Sequence, residues 1–175
     1  MRLARLIPSV VAVAALAAVP VIMATTSSAG VLNPRIADTV PSCSGLTTDV
    51  WLNTQGNGTA GTIYYKLEFT NFTTKSCTFS GFPGVSAVSI FGKQVGAPAR
   101  RDGSAKTVTL KPGATAYAML GIIFTSNFPV KSCAPTTAAG LRVYPPNSTQ
   151  SWIDWFPFSV CGKTSEVSLS IAAVV

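Results

Sequence analysis

The sequence predicts an antiparallel β-sandwich, and three features carry that prediction. Residues 62–70, TIYYKLEFT, alternate with Ile63, Tyr65, Leu67 and Phe69 on one side and Tyr64, Lys66, Glu68 and Thr70 on the other. That is the period of a strand with one buried face. Short apolar segments recur about every 8 to 12 residues between turn-forming residues, and no stretch sustains a helical period of useful length.

The elements follow in chain order. Residues 1–29 begin with Arg2 and Arg5, continue as an apolar run from Leu6 to Ala24, and end with Ser27 and Ala29 at the −3 and −1 positions of a cleavage point. This is the three-part pattern of a secretory signal peptide cut after Ala29. The rival is an uncleaved anchor, since the run approaches bilayer length, but it is alanine-rich and interrupted by Pro8 and Pro20. Residues 30–42, GVLNPRIADTVPS, read as a tether, and the domain occupies residues 43–175. Cleavage of 29 residues from 175 leaves 146, enough for one domain with a core of its own. No other segment is long and apolar enough to span a membrane.

Strands are expected at 46–53, 62–70, 76–79, 85–91, 106–110, 115–124, 140–144, 152–160 and 166–174. Gly56-Asn57-Gly58, Asn71, Phe91-Gly92-Lys93, Asp102-Gly103 and Pro112-Gly113 supply the turns. In TAYAMLGIIF (115–124) the alanines suit a helix, but Gly121 and the β-branched residues after it favour a strand. Within 67–86, LEFTNFTTKSCTFSGFPGVS, the expected sequence is strand end, turn at Asn71, cysteine anchor, then a second turn at Pro83-Gly84 with Phe82 tucked inward.

Cys43, Cys77, Cys133 and Cys161 form an even set at intervals of 34, 56 and 28 residues, with no C-x-x-C. In an exported chain this indicates two disulfides. Three pairings are open. Cys43–Cys77 with Cys133–Cys161 is preferred because each bridge then clamps a local group of strands. A Cys77–Cys133 bridge of antibody type lacks its usual tryptophan and tyrosine companions. Loops of this size contribute about 3.5–4 kcal/mol each in the chain-entropy model.

The chain contains no histidine, which removes Ser-His-Asp and Cys-His catalysis and the commonest transition-metal ligand. The six acids, Asp38, Asp49, Glu68, Asp102, Asp154 and Glu166, form no sequence cluster, so catalysis is not expected. No cofactor or metal is expected either. Without Arg2 and Arg5, 11 basic residues stand against 6 acidic, a net charge of +5 spread thinly along the chain. Such a charge suits weak attraction to anionic wall polymers and does not form a nucleic-acid motif.

Five residues are candidates for binding. Tyr144, Trp152 and Trp155 lie in the aromatic-rich stretch YPPNSTQSWIDWFPF, where a strand would turn the two tryptophans to opposite sides and expose one. Exposed rings could stack on sugars; the simpler role is core filling. Arg100 and Arg101 are the one basic pair, read here as a hairpin end that could meet an anion. Asn-x-Ser/Thr triplets at Asn57, Asn71 and Asn147 are expected by chance in a chain this rich in Ser and Thr.

The ordered motifs are Phe69-Thr70-Asn71, Gly81-Phe82-Pro83-Gly84-Val85-Ser86, Val95-Gly96-Ala97-Pro98-Ala99-Arg100, Val108-Thr109-Leu110-Lys111-Pro112-Gly113 and Leu141-Arg142-Val143-Tyr144-Pro145-Pro146. Together with the four cysteines they resemble an exported actinobacterial family known as domain of unknown function 4232, over about residues 43–174. The resemblance implies an immunoglobulin-like β-sandwich outside the cytoplasm and brings no catalytic residue. Lipidated members carry a cysteine just after the signal, which this chain lacks.

The expected function is therefore that of a secreted, non-catalytic binding module of the cell envelope, meeting an anionic wall polymer, a glycan or an envelope protein. The alternatives are a low-turnover hydrolase using clustered carboxylates and a purely structural accessory domain.

Overall fold

The computed structural model describes residues 39–175. The expected signal peptide (1–29) and most of the tether (30–42) lie outside the described residues. The described chain forms an immunoglobulin-like β-sandwich. Its first sheet has the order β1 (Thr48–Thr59), β2 (Thr62–Asn71), β8 (Thr115–Ile123), β11 (Leu169–Ala172) and β6 (Arg100–Asp102). The second has the order β10 (Trp152–Cys161), β9 (Pro135–Tyr144), β4 (Gly84–Val88) and β5 (Gln94–Val95). A two-stranded ribbon pairs β3 (Cys77–Ser80) with β7 (Thr107–Leu110). One helical turn, α1 (Val130–Cys133), precedes β9.

Alternation builds the core. Leu67 and Phe69 of β2, Ala116, Ala118 and Leu120 of β8, and Leu141 and Val143 of β9 all point inward and are buried. Phe69 packs on Phe79 with ring centroids 5.4 Å apart. Each of the larger side chains contributes about 1.5–3 kcal/mol on burial. The outer face of the first sheet is polar by the same alternation: Thr70 and Thr115 share a 2.8 Å hydroxyl hydrogen bond, and Lys66 lies 4.7 Å over the Tyr117 ring.

Both preferred disulfides, Cys43–Cys77 and Cys133–Cys161, are formed. The first works with backbone pairing, because Cys43 N–H donates to Thr78 O and Thr78 N–H donates to Pro41 O, each at 2.8 Å. Pairing thus extends back to Pro41.

Several expected boundaries move. Gly56-Asn57-Gly58 is not a turn: a register shift between Asn53 and Asn57 lets β1 continue to Thr59, and the chain reverses at Ala60-Gly61, with Gly61 at φ +82°. Arg100-Arg101-Asp102 is not a hairpin end but strand β6, paired parallel to β11; the turn waits for Gly103. β9 begins at Pro135, five residues before the expected 140–144 strand. β5 and the α1 turn were not foreseen, being too short to show a period. TAYAMLGIIF is strand through Ile123. At the second turn Pro83 is buried and Phe82 half-buried, so the proline, not the phenylalanine, is the inner residue.

Asn71 holds the first turn together. Its side chain is fully buried, with Nδ2 donating to Lys75 O at 2.8 Å and Leu110 O at 3.2 Å. Its Oδ1 accepts from Thr73 N–H at 3.0 Å and Thr73 Oγ1 at 2.7 Å. Removing such a group strands the buried Leu110 carbonyl and opens the Thr73–Lys75 turn. Asn71→Ala is expected to lower unfolding stability by about 2–4 kcal/mol, and Thr73→Ala by about 1 kcal/mol, in urea titrations. Equal stability of Asn71→Ala and the parent would contradict the role given to this side chain.

Candidate functional site: the outer face of the four-stranded sheet

The registers of β10, β9 and β4 decide which residues the second sheet presents outward. Directly opposed residues share a face. Trp152 opposes Val143 and Asp154 opposes Leu141, both on the core side. Ile153 therefore joins Arg142, and Trp155 joins Gly140, on the outside. Tyr144 opposes Gly84 and Arg142 opposes Ser86 on that same outer face. Trp155 is 62% exposed, whereas Trp152 packs against the core with its ring over Gly45. The expected opposition of the two tryptophans is seen, and Trp155 is the exposed one. Tyr144 is half-buried over Gly84.

Two further residues complete this face and were not singled out in the sequence. The β4–β5 hairpin tip carries Ile90 at 71% exposure and Phe91 at 82%. Turn tips favour small polar residues, so two large apolar side chains there have no folding rationale. The tip is rigidly built. Ser89 N–H donates to Lys93 O at 2.8 Å, Gly92 N–H to Ser89 O at 2.9 Å, and Phe91 N–H to Ser89 Oγ at 3.3 Å. Arg142 Nη2 donates to Gly92 O at 2.7 Å, tying the tip to β9. A Cβ at Gly92 (φ +69°) would sit 3.6 Å from Ile153, so the tip leans over the Arg142–Ile153 row. The signal that could have found it is a hydrophobic Ile-Phe pair placed beside Gly-Lys in a turn.

The two arginines lie elsewhere, on the edge strand β6 of the other sheet. Arg100 Nε donates to Asp102 Oδ1 at 2.8 Å and Nη2 to Oδ2 at 3.4 Å. That hydrogen bond, with the attraction of opposite charges, raises the Arg100 pKa and lowers that of Asp102. Arg100 is thus already partnered, which leaves Arg101 as the open cation of the pair. The structure does not bring the arginines together with the aromatic candidates.

A half-buried acid lies behind the site. Asp154 points into the seam between the sheets, flanked on its own strand by Trp152 and Phe156, and its Oδ2 is buried without a hydrogen-bond partner. Burial, reinforced by the negative charge of Asp49 on β1, pushes its pKa up to about 6. Asp49 itself is exposed and opposes Thr70 on the outer side of β1, so it acts on Asp154 through its charge alone. Among the described residues no group of three or more potential metal ligands occurs. Neither acid lines the cleft bounded by Ile63, Tyr65, Ile122, Phe124 and Phe158.

Residues 43–171 match the model of a domain of unknown function, DUF4232. The chain belongs to that family. No curated protein and no solved structure matches the chain. The DUF4232 motifs Gly81–Ser86 and Leu141–Pro146 contain the Gly84–Tyr144 and Ser86–Arg142 pairs of the outer face.

Asp154 gives a pH prediction. Its proton is held more tightly in the folded chain than in the unfolded one, where the ordinary value is 3.8. Its stabilising contribution is complete below about pH 4 and is lost as pH rises through about 6. Fully expressed, that displacement would be worth about 3 kcal/mol, which solvent at the half-exposed seam reduces to about 1–2 kcal/mol. Asp154→Asn should therefore gain about 1–2 kcal/mol over the parent at pH 7.5 and nothing at pH 4, in urea titrations at both pH values. Parallel pH profiles for the two proteins would refute it.

Proposed function

We propose that this DUF4232 domain is an exported, non-catalytic recognition module of the actinobacterial cell envelope, and that its outer four-stranded face docks another envelope protein. The observation that carries the proposal is the hairpin tip: Ile90 and Phe91 are held exposed on a rigid frame beside Ile153, Arg142 and Trp155. Aromatic residues and arginine are the types enriched where protein interfaces gain most of their energy, and a pre-ordered tip loses little entropy on docking. A protein pocket suits an aliphatic–aromatic tip better than a glycan does, since Ile90 and Phe91 offer no polar side chain to meet a sugar's hydroxyls. Two disulfides are consistent with an oxidising, extracytoplasmic location.

Hydrolysis by carboxylates draws support only from the raised pKa of Asp154, and the acid nearest in charge, Asp49, is exposed on the outer side of β1.

Immobilised protein, incubated with the secreted and envelope fractions of its own source, should retain a discrete protein. Phe91→Ala and Trp155→Ala should each weaken retention about 10-fold or more, as loss of a central anchor does, with Arg101→Ala unchanged. Retention of a polysaccharide fraction with the same variant pattern would transfer the role to a glycan. Retention sensitive only to Arg101→Ala would reject this face.

A further inference from the structure

The two sheets do not close everywhere along the seam between β2 and β10. Beyond Asp154 the inward side chains of β10 are Phe156 and Phe158, with Tyr65 of β2 meeting Phe156 edge-on at 5.0 Å between ring centroids. Past that contact the walls part, leaving a cleft of about 450 Å³ lined by Ile63, Tyr65, Ile122, Phe124 and Phe158. That volume lies within the usual range of small-molecule sites, roughly 300–1,000 Å³.

Both walls are fixed by the fold. On one side the single 3-10 turn Thr125–Asn127 is fastened to the β1–β2 hairpin, where Phe124 N–H donates to Gly61 O at 2.8 Å and Asn127 Nδ2 donates to the same oxygen at 3.0 Å. On the other, β10 changes register between Trp155 and Phe158, which sets the Phe158 wall independently of the upper seam. Apolar walls that face no partner atoms forgo dispersion energy that an occupant would restore.

The lining also defines the occupant. It contains no Lys, Arg, Asp or Glu, and its polar groups are the neutral hydroxyls of Thr125, Ser126, Ser159 and Tyr65. A charged ligand would be desolvated there without compensation. A peptide segment would bring backbone N–H and C=O groups in number, with only these few hydroxyls to satisfy them. We infer that the cleft binds a small, neutral, apolar molecule, its aliphatic or aromatic body between Tyr65 and Phe158 and at most one polar end at the hydroxyl rim. This site opens on the seam and is separate from the outer face, so it stands or falls independently of the docking role.

The neutral fluorophore N-phenyl-1-naphthylamine is a direct probe. The purified protein should enhance its fluorescence saturably. Ser126 and Ser159 are exposed at the rim, so Ser126→Trp and Ser159→Trp can obstruct the cleft without disturbing the core. A 10-fold or greater loss of probe affinity in either variant, with unchanged thermal unfolding and with Phe91→Ala binding as the parent does, would support the site. Absence of saturable binding by the parent, or parental affinity in both rim variants, would overturn it.

Discussion

Everything this domain presents outward depends on the pairing register of β10 against β9. A strand can bury only one of its two faces, and a slip of one residue exchanges them. In the register observed, Leu141 and Val143 fill the core, Trp152 and Asp154 face the seam, and Ile153 and Trp155 face solvent beside Arg142 and Tyr144. With β9 held by β4, one residue of slippage of β10 would turn Trp152 and Asp154 outward and Ile153 and Trp155 inward. Loss of Trp152 packing on the core opposes that exchange. The disulfide from Cys161, the last residue of β10, to Cys133 pins the strand end as well.

The same constraint explains how the two sheets divide their roles. The five-stranded sheet carries hydroxyl pairs and charged residues on its outer face, with Trp51 exposed among them. The four-stranded sheet instead carries Tyr144, Arg142, Ile153 and Trp155, extended by an apolar hairpin tip that a guanidinium holds in place. Between the sheets the seam contains one acid and one open cleft, the two places where inward packing on β10 is incomplete. On the second sheet the features without a folding rationale are the hairpin tip and the exposed Trp155.

How far the sequence could show this varied with the element. β2 was legible because one of its faces is apolar and the other polar, so its alternation survives as a period of two. The disulfide pairing followed from local clamping, and the turns at Pro112-Gly113 and Phe91-Gly92 from residues that tolerate tight backbone. β10 was legible as a strand but not as a surface. WIDWFPF carries aromatic residues on both faces, so the pattern showed that one tryptophan is exposed without showing which. The end of β1 was misread because a register shift kept Gly56-Asn57-Gly58 in the ladder. β6 was misread because its partner, β11, lies almost seventy residues further on in the chain. The charge of Asp49 likewise reaches Asp154 only through the tertiary fold, which no local spacing encodes.

The most direct test of the account is site-specific photo-crosslinking in the exporting cell, with p-benzoylphenylalanine placed at position 91 or at position 101. Position 91 is at the tip over the four-stranded face, and position 101 is on the edge of the other sheet. The account predicts a discrete protein adduct from position 91 and none from position 101. Adducts from position 101 alone, or from neither position, would contradict it.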